Sequence, residues 1–259
     1  MKISIVGSGN VATVMGRTIK EAGHEVLQVI SRNLLHAEKL AVLVGATATV
    51  KVQALHPQCD FCIIAVGDSN IQLVANQLPV TNAVVVHTAG SVERDVLLQP
   101  NRAVGVIYPL QSLRSLIADL PKIPVLIDGV NSEVITRIRW FAETWASGVW
   151  QAGDEKRQQT HVAAVILNNF INHLVSLTHE YCNKENIDFE ILKPLLKQTV
   201  TNLTFYNAFE LQTGPARRND ISTIEKHLLI LNKQPVLRSL YLKLSESIIN
   251  QQNLLFKNN

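Results

Sequence analysis

Cysteine, net charge and long apolar runs are all scarce in this chain, and each shortage excludes a class of protein. The 259 residues carry 24 Lys and Arg against 21 Asp and Glu, a net charge of +3, and the basic residues are scattered. We therefore expect no nucleic-acid partner and no membrane partner. No stretch approaches the ~18 uncharged apolar residues that span a bilayer. The first apolar run is too short for a signal peptide, so we expect a soluble, cytoplasmic protein.

The three cysteines, Cys59, Cys62 and Cys182, do not form a disulfide framework. Cys59 and Cys62 make a C-x-x-C, which can signal a redox pair or half of a zinc site. No second Cys pair completes a zinc site, so we predict no metal. The segment CDFCIIAV is typical of a buried strand, which would send the two thiols to opposite faces. We interpret them as small core residues of a protein in a reducing compartment.

Strands alternate with helices through the first half of the chain. Apolar and β-branched runs predict strands at residues 2–6, 24–31, 46–50, 59–66, 83–87, 103–108, 125–128 and 148–151. Amphipathic patterns predict helices at residues 11–22, 34–44, 69–77 and 131–145. The later patterns are helical throughout, at residues 155–183, 189–211, 220–231 and 234–250. The fold class is therefore an α/β Rossmann domain with a mainly parallel, doubly wound sheet, residues 1–152, followed by an all-α domain, residues 153–259.

A glycine-rich turn joins the first strand to the first helix. GSGNVA, residues 7–12, fits G-x-G-x-x-A, and its place between a strand and a helix supports a dinucleotide site. The first glycine permits the tight turn and the second lets the backbone approach a pyrophosphate, which the helix N-terminus also attracts. We predict that Gly7, Ser8, Gly9, Asn10 and Val11 bind the cofactor.

The end of the second strand indicates which dinucleotide is bound. NAD-preferring sites place Asp or Glu there to accept from the ribose 2′-hydroxyl. This chain has Ser31, Arg32 and Asn33 instead. A guanidinium and a hydroxyl would bind a 2′-phosphate through charge-assisted hydrogen bonds. We therefore predict NADP as the cofactor, the alternative being that Arg32 is a solvated charge.

Two further strand ends are predicted to face the same crevice. AVGD closes the fourth strand and HTAGS closes the next one. Small residues at a strand's carboxyl end leave room for the nicotinamide side of the cofactor. Ala65, Val66, Asp68, His87 and Thr88 are therefore predicted cofactor-binding residues, with Asp68 alternatively capping the following helix.

A polar seam runs along the first helix of the second half. At about 100° per residue, His161, Asn168, Asn172 and His179 share one side of an otherwise apolar helix, which we expect to be largely buried. The seam faces either a site or interface that supplies hydrogen-bond partners, or solvent. His161 is the leading candidate catalytic residue because imidazole donates and accepts protons near neutral pH.

A second concentration of polar residues is TGPARRND, residues 213–220. Arg217 is a candidate anion clamp for a substrate, or else a partner in a structural ion pair. Asp220 or Asn219 is predicted to cap the next helix, and His227 lies on the same face as Asp220.

These segments together resemble the Rossmann-like NADP oxidoreductases whose C-terminal half is a helical domain of unknown function. Those proteins are relatives of pyrroline-5-carboxylate reductase and of deazaflavin-dependent NADP reductases. The resemblance rests on GSGNVA, SRN, HTAGS, YPLQSL, HVAAVILNNFINHL and TGPARRND, of which the last two are the specific ones. It implies NADP-dependent redox chemistry on a small-molecule substrate.

Two departures from related patterns bear on the chemistry. In β-hydroxyacid dehydrogenases, whose fold the family resembles, a Lys precedes an Asn by four residues on a long helix. Here Ala164 precedes Asn168 and Val165 precedes Asn169. Many family members also have His where this chain has Tyr108, which can still donate a proton. The predicted catalytic set is therefore His161, Asn168, Asn169, Tyr108 and Arg217.

Three functions are compatible with the resemblance. The first is an NADPH-dependent reductase acting on a C=O or C=N bond, and the second is a non-catalytic NADP-binding sensor or assembly protein, supported by the absent lysine. The third is a hydride exchanger between nicotinamide and deazaflavin. The apolar helices of the second half also predict a homodimer.

Overall fold

A computed structural model of the chain describes residues 1–258, with side chains described through residue 252. Contacts divide the chain into two compact units, Met1–Asn168 and Asn169–Asn259. None of the helices within the described range is both long and apolar enough to cross a membrane. The predicted domain division between residues 152 and 153 remains a prediction.

An eight-stranded sheet forms the centre of the first unit. Its strands are β1 (Lys2–Val6), β2 (Glu25–Ile30), β3 (Thr47–Thr49), β4 (Phe61–Ile64), β5 (Val84–His87), β6 (Val104–Pro109), β7 (Pro124–Gly129) and β8 (Gly148–Gln151). Their order is β3-β2-β1-β4-β5-β6-β7-β8, and every pair is parallel except β6 with β7. The strand order reverses between β1 and β4, which is where open parallel sheets bind ligands.

Continuously apolar strands bury both faces of this sheet. Residues of β1 and β4 alternate between two core clusters, since Ile3 and Ile5 pack in one and Val6 in the other. Helices cover the two faces, as a parallel sheet with crossover connections requires. These helices are α1 (Asn10–Glu21), α2 (Leu34–Val44), α3 (Ile71–Gln77) and α4 (Ser132–Glu143).

Local signals explain where several of these helices begin and end. Asn33 caps α2, because its side chain accepts a hydrogen bond from the His36 amide at 3.2 Å. Gly45 ends that helix in the left-handed conformation, with φ +71°. Asn131 caps α4 in the same way as Asn33, by accepting from the Val134 amide at 2.9 Å.

The second half of the chain is helical, but two predicted helices differ from those observed. The predicted helix 155–183 is α5 (Asp154–Ala164), a π-helical segment (Val165–Phe170) and α6 (Ile171–Lys184). The predicted helix 189–211 is a 3₁₀ turn and α7 (Lys193–Phe205), which ends where Tyr206 becomes extended. The remaining helices are α8 (Ile221–Ile230) and α9 (Pro235–Asn258).

The helix that carries the polar seam is not largely buried, contrary to expectation. Val162 is 60% exposed and Leu167 is 70% exposed in the single chain. Moreover, the π segment widens the turn to i→i+5, so residues after it are rotated relative to those before it. The alignment calculated for an uninterrupted α-helix therefore does not hold.

The two cysteines of the C-x-x-C are buried and free, as interpreted from the sequence. Their predicted separation onto opposite faces is wrong, because both belong to the same core cluster. Cys59 precedes β4 rather than lying in it, so the alternation of a strand does not apply. Burial raises the pKa of both thiols, which keeps them unreactive.

Candidate active site

The glycine-rich turn lies at the carboxyl end of β1, where the strand order reverses. Gly7 has φ +124°, and a Cβ there would lie 2.1 Å from the Ala65 carbonyl oxygen, so only glycine fits. Gly9 differs, because a Cβ there would meet no atom within 4 Å. The backbone at Gly9 therefore faces open space directly before the first turn of α1, whose N–H groups have no intrahelical acceptor.

A pocket of about 380 Å³ opens in front of this turn. It brings together residues from the ends of the first, second and fourth strands. Eight of the thirteen predicted cofactor-binding residues line it: Gly7, Ser8, Gly9, Ser31, Arg32, Asn33, Ala65 and Val66. His36, Gly67, Asn70 and Val74 also line it and were not predicted.

The lining of this pocket fits a phosphorylated dinucleotide. The hydroxyl groups of Ser8 and Ser31 lie 2.8 Å apart and hydrogen-bond to each other across the turn. Arg32 is exposed beside them, and none of the described lining residues is acidic. Gly9 and the N-terminus of α1 are the groups that would hold the pyrophosphate of an NADP, and Ser31 and Arg32 those that would hold its 2′-phosphate.

The other predicted cofactor residues have different surroundings. The Asn10 side chain accepts from the amide and hydroxyl of Ser115, at 3.0 and 2.7 Å. Val11 packs against the core. His87 and Thr88 are buried at the end of β5, and Asp68 follows Gly67 out of the pocket.

A tyrosine–histidine pair lies at the carboxyl ends of β5 and β6, within the first unit. The Tyr108 hydroxyl and His161 Nδ1 are 2.8 Å apart and share a hydrogen bond. Their rings meet edge to face, with centroids 5.7 Å apart. Tyr108 is the last but one residue of β6, and His161 lies in α5. This pairing of two predicted catalytic residues, 53 positions apart, is the central feature of the site.

Gly90 lies directly against this pair. A Cβ at Gly90 would lie 2.7 Å from His161 Nδ1 and 2.9 Å from Tyr108 Cζ. Such distances are too short for any side chain, so the absence of a Cβ at this position is what allows the two rings to meet. Gly90 belongs to the HTAGS segment, but its role was not predicted.

A carboxylate lies beside the same segment. The Ser91 hydroxyl donates to Asp68 at 2.5 Å. Asp68 does not cap the following helix, because it is the first residue of a 3₁₀ turn and α3 begins after Asn70. Burial raises the pKa of Tyr108, and the charge of Asp68 raises it further. The hydroxyl of Tyr108 therefore stays protonated well above neutral pH.

The helix that carries His161 is fastened to the loop after β5 by a buried arginine. Arg157 is 0% exposed and donates through Nη2 to the Val92 carbonyl and to Asp154, the latter at 2.6 Å. Asp154 also accepts from the backbone amide of Arg94, at 3.1 and 3.3 Å. Arg157 precedes His161 by one turn of α5, so both side chains lie on the same face.

The charge of Arg157 also affects a neighbouring histidine. Burial, aided by Arg157, lowers the pKa of His87 to about 4. His87 accepts from the Ala89 amide through Nδ1 at 3.2 Å. It is therefore a neutral structural residue of the site near pH 7. Sequence reasoning missed Arg157, since an arginine in a polar helical turn usually lies at the surface.

Two family models match the chain. One, over residues 2–90, is described as NADP oxidoreductase coenzyme F420-dependent, and the other, over residues 123–248, as a domain of unknown function, DUF2520. A solved structure from Bacteroides fragilis, named provisionally as an NADP oxidoreductase, is 31% identical with a TM-score of 0.87. That match covers 96% of this chain and 98% of the other. The chain belongs to this family of NADP oxidoreductases.

More distant structures share the fold of this oxidoreductase. A 1-pyrroline-5-carboxylate reductase from Streptococcus pyogenes is 17% identical, with a TM-score of 0.64 and 96% and 98% of the two chains covered. A reductive aminase from Aspergillus terreus, solved with NADPH and ethyl levulinate, is 15% identical, with a TM-score of 0.72 and 95% and 92% covered. No curated protein matches the chain. The predicted family and fold class are therefore confirmed.

The remaining predicted residues of the oxidoreductase lie in later segments of the chain. Asn168 and Asn169 lie in the π-helical segment, and Asn172 and His179 are exposed. Arg217 belongs to the second unit, where Nη1 donates to Gln252. Asp220 caps α8 by accepting from the Thr223 amide at 3.1 Å, which confirms one of the two predicted caps.

Proposed function

We propose that this protein is an NADPH-dependent reductase that acts on a C=O or C=N bond of a small molecule. The observation that carries the proposal is the 2.8 Å hydrogen bond between Tyr108 and His161 at the strand ends of a dinucleotide-binding sheet. The cofactor, when bound, supplies the hydride. The protein must then bind, orient and provide a proton.

The pocket residues account for the binding and orientation. Gly9 leaves room for the pyrophosphate, which accepts hydrogen bonds from the first turn of α1. Ser31 and Arg32 hold the 2′-phosphate, because a guanidinium pairs with phosphate more strongly than a neutral donor does. The absence of a carboxylate among the described lining residues removes the repulsion that a 2′-phosphate meets in NAD sites.

The tyrosine–histidine pair accounts for the proton. The substrate atom that gains electron density takes a proton from the pair, and the shared hydrogen bond allows either ring to replenish the other. Asn168 and Asn169 are proposed to orient the substrate, and Arg217 to bind an anionic group on it. Residues 1–152 then form the cofactor domain, and residues 153–259 a substrate and dimerisation domain.

The named relatives favour this class of reaction. The S. pyogenes protein is named as a reductase of 1-pyrroline-5-carboxylate, and the A. terreus protein as a reductive aminase in complex with NADPH. The N-terminal family description also names coenzyme F420, so hydride exchange with a deazaflavin belongs among the reactions to be assayed.

A non-catalytic NADP sensor is the second candidate. It is favoured by Ala164 and Val165, which stand where hydroxyacid dehydrogenases carry a lysine. A screen of NADPH oxidation against aldehydes, keto acids, cyclic imines and oxidised deazaflavin separates the two functions. Turnover of an aldehyde, a keto acid or a cyclic imine supports the reductase, and turnover of deazaflavin alone supports the hydride exchanger. Tight NADPH binding without turnover supports the sensor.

The role of His161 is tested with His161→Ala. We expect turnover to fall by at least about 10²-fold, the usual contribution of a positioned proton donor. NADPH affinity should stay within about twofold, because His161 does not line the dinucleotide pocket. Unchanged turnover would refute the assignment.

We also propose a cytoplasmic homodimer. In the second unit, apolar side chains including Leu195, Phe205 and Val236 are exposed, and an apolar groove of about 690 Å³ is lined by residues such as Phe170, Leu174 and Leu240. A second copy would cover them. The free buried cysteines fit a reducing compartment. A monomer at micromolar concentration in ultracentrifugation would contradict the dimer.

A further inference from the structure

The segment that packs against the tyrosine–histidine pair also holds a carboxylate at the solvent side of the crevice. Asp68 is exposed and accepts a hydrogen bond from the Ser91 hydroxyl at 2.5 Å. Ser91 is the neighbour of Gly90, which touches both Tyr108 and His161. Asp68 also follows Gly67, a lining residue of the dinucleotide pocket. The carboxylate is thus next to both parts of the site.

The positive charges nearby are already neutralised. Arg157 is buried against Asp154 at 2.6 Å. Arg94 pairs with Asp95 at 2.7 Å and with Asp128 at 3.2 Å. Asp68, by contrast, is held by a neutral hydroxyl. Among the described residues, no ion pair neutralises the carboxylate of Asp68.

A site with an unneutralised carboxylate beside the proton donor is poorly suited to the reduction of a carbonyl group. A ketone that accepts a hydride becomes an alkoxide, which needs a cation or a strong acid beside it. The helix position that carries a lysine in hydroxyacid dehydrogenases is Ala164 or Val165 here. Burial and the charge of Asp68 raise the pKa of Tyr108, which makes its hydroxyl a weaker acid. Each of these features opposes the formation of an alkoxide.

We propose that Asp68 selects protonated imines, so that the site reduces cationic C=N substrates in preference to ketones and aldehydes. This inference rests on the proposed function and names the substrate class of the same site. A negative charge stabilises an iminium ion relative to its neutral base and attracts it into the crevice. Ser91 is a positioning residue that holds the carboxylate.

The chemical step balances without a further reactant. A protonated imine enters the crevice as the iminium ion, and an imine that enters as the neutral base becomes the same ion by taking a proton from the Tyr108–His161 pair. A hydride from a reduced nicotinamide then forms the new C–H bond, and the π electron pair moves to nitrogen. The product is a neutral amine, so no alkoxide arises, and the pair recovers its proton from solvent.

The first experiment compares an imine with a ketone of similar shape, 2-methyl-1-pyrroline and 2-methylcyclopentanone, with NADPH as reductant. We expect the wild type to give a higher kcat/KM for the imine. Asp68→Asn should lower that value by about 2- to 5-fold, the range for an ion pair made by a solvent-exposed carboxylate. The ketone value should stay the same or rise.

Glu93→Gln is the matched control, because Glu93 is an exposed carboxylate on the loop that carries Ser91. It should leave both values unchanged. Equal losses for imine and ketone in Asp68→Asn, or a wild type that prefers the ketone, would overturn the inference while leaving a reductase intact.

A binding measurement gives a result even if neither compound turns over. Pyrrolidinium and cyclopentanol have similar rings but differ in charge. We expect the NADPH-loaded wild type to bind pyrrolidinium more tightly, and Asp68→Asn, but not Glu93→Gln, to lose the difference. Equal affinities in the wild type would overturn the inference. Failure to bind NADPH at all would instead contradict the proposed function.

Discussion

Replacement of Gly90 by alanine would insert a methyl group where the tyrosine–histidine pair lies. The new Cβ would be 2.7 Å from His161 Nδ1, 2.8 Å from His161 Cγ and 2.9 Å from Tyr108 Cζ. Ordinary contacts begin at ~3.5 Å, so the imidazole must withdraw by roughly 0.8 Å. A displacement of that size along the hydrogen bond would lengthen it from 2.8 Å to more than ~3.5 Å and break it.

The magnitude follows from that displacement. A shift of ~1 Å in a catalytic group costs on the order of 10²-fold in rate. We therefore expect kcat for Gly90→Ala to fall by about 10²-fold with the substrate found by the screen. Overpacking should also lower stability by about 1–3 kcal/mol. NADPH affinity should be retained, because Gly90 does not line the dinucleotide pocket.

Two other glycines provide the controls. Gly153 precedes the helix that carries His161, and a Cβ there would meet no atom of the described residues within 4 Å, so Gly153→Ala should retain both turnover and NADPH affinity. Gly9→Ala, in contrast to Gly90→Ala, should weaken NADPH binding, since its methyl group would occupy the space for the pyrophosphate. Steady-state kinetics and fluorescence titration measure both quantities. Wild-type turnover in Gly90→Ala would refute the contact between Gly90 and the pair.

Three further predictions concern the surroundings of the pair. Tyr108→Phe removes the hydroxyl that bonds His161, so kcat should fall by about 10²-fold at unchanged NADPH affinity; equal kcat would show that the hydroxyl is dispensable. Arg157→Met removes a charge-assisted hydrogen bond from Asp154, which is partly exposed and keeps its bonds from the Arg94 amide. The free energy of unfolding should therefore fall by about 1.5 kcal/mol in urea titrations, whereas an unchanged or higher value would contradict a stabilising role for Arg157. Burial lowers the pKa of His87 from 6.5 to about 4, so the unfolded chain takes up a proton between these pH values and the folded chain does not. The free energy of unfolding should therefore fall by at most about 3 kcal/mol as the pH drops from ~6.5 to ~4, and should show no effect of His87 above pH ~6.5. His87→Asn should reduce this pH dependence, and an unchanged dependence would refute the lowered pKa of His87.

Features set by neighbouring residues were predictable from the sequence. Continuous apolar runs gave the strands of the sheet, and Gly7 and Gly9 placed the turn at the end of β1. The Asp220 cap was also predictable, since its bond to Thr223 spans three residues. These signals are local, so one segment of sequence contains both partners.

Features that depend on distant segments were not predictable. Gly90 meets His161 from a different element, and the burial of Arg157 depends on Val92, 65 positions away. The π-helical turn at Val165–Phe170 was missed because the apolar pattern around it is that of an ordinary helix. A seam drawn at 100° per residue therefore joined His161 to residues that the structure leaves exposed.

The most direct test of the proposed preference for NADPH over NADH is the titration of the wild type and of Arg32→Ala with both dinucleotides. Charge-assisted hydrogen bonds to the 2′-phosphate contribute about 1.5–3 kcal/mol, so the wild type should bind NADPH roughly 10- to 150-fold more tightly than NADH. Arg32→Ala should lose most of this preference and retain its affinity for NADH. Equal affinities of the wild type for the two dinucleotides, or tighter binding of NADH, would contradict the account.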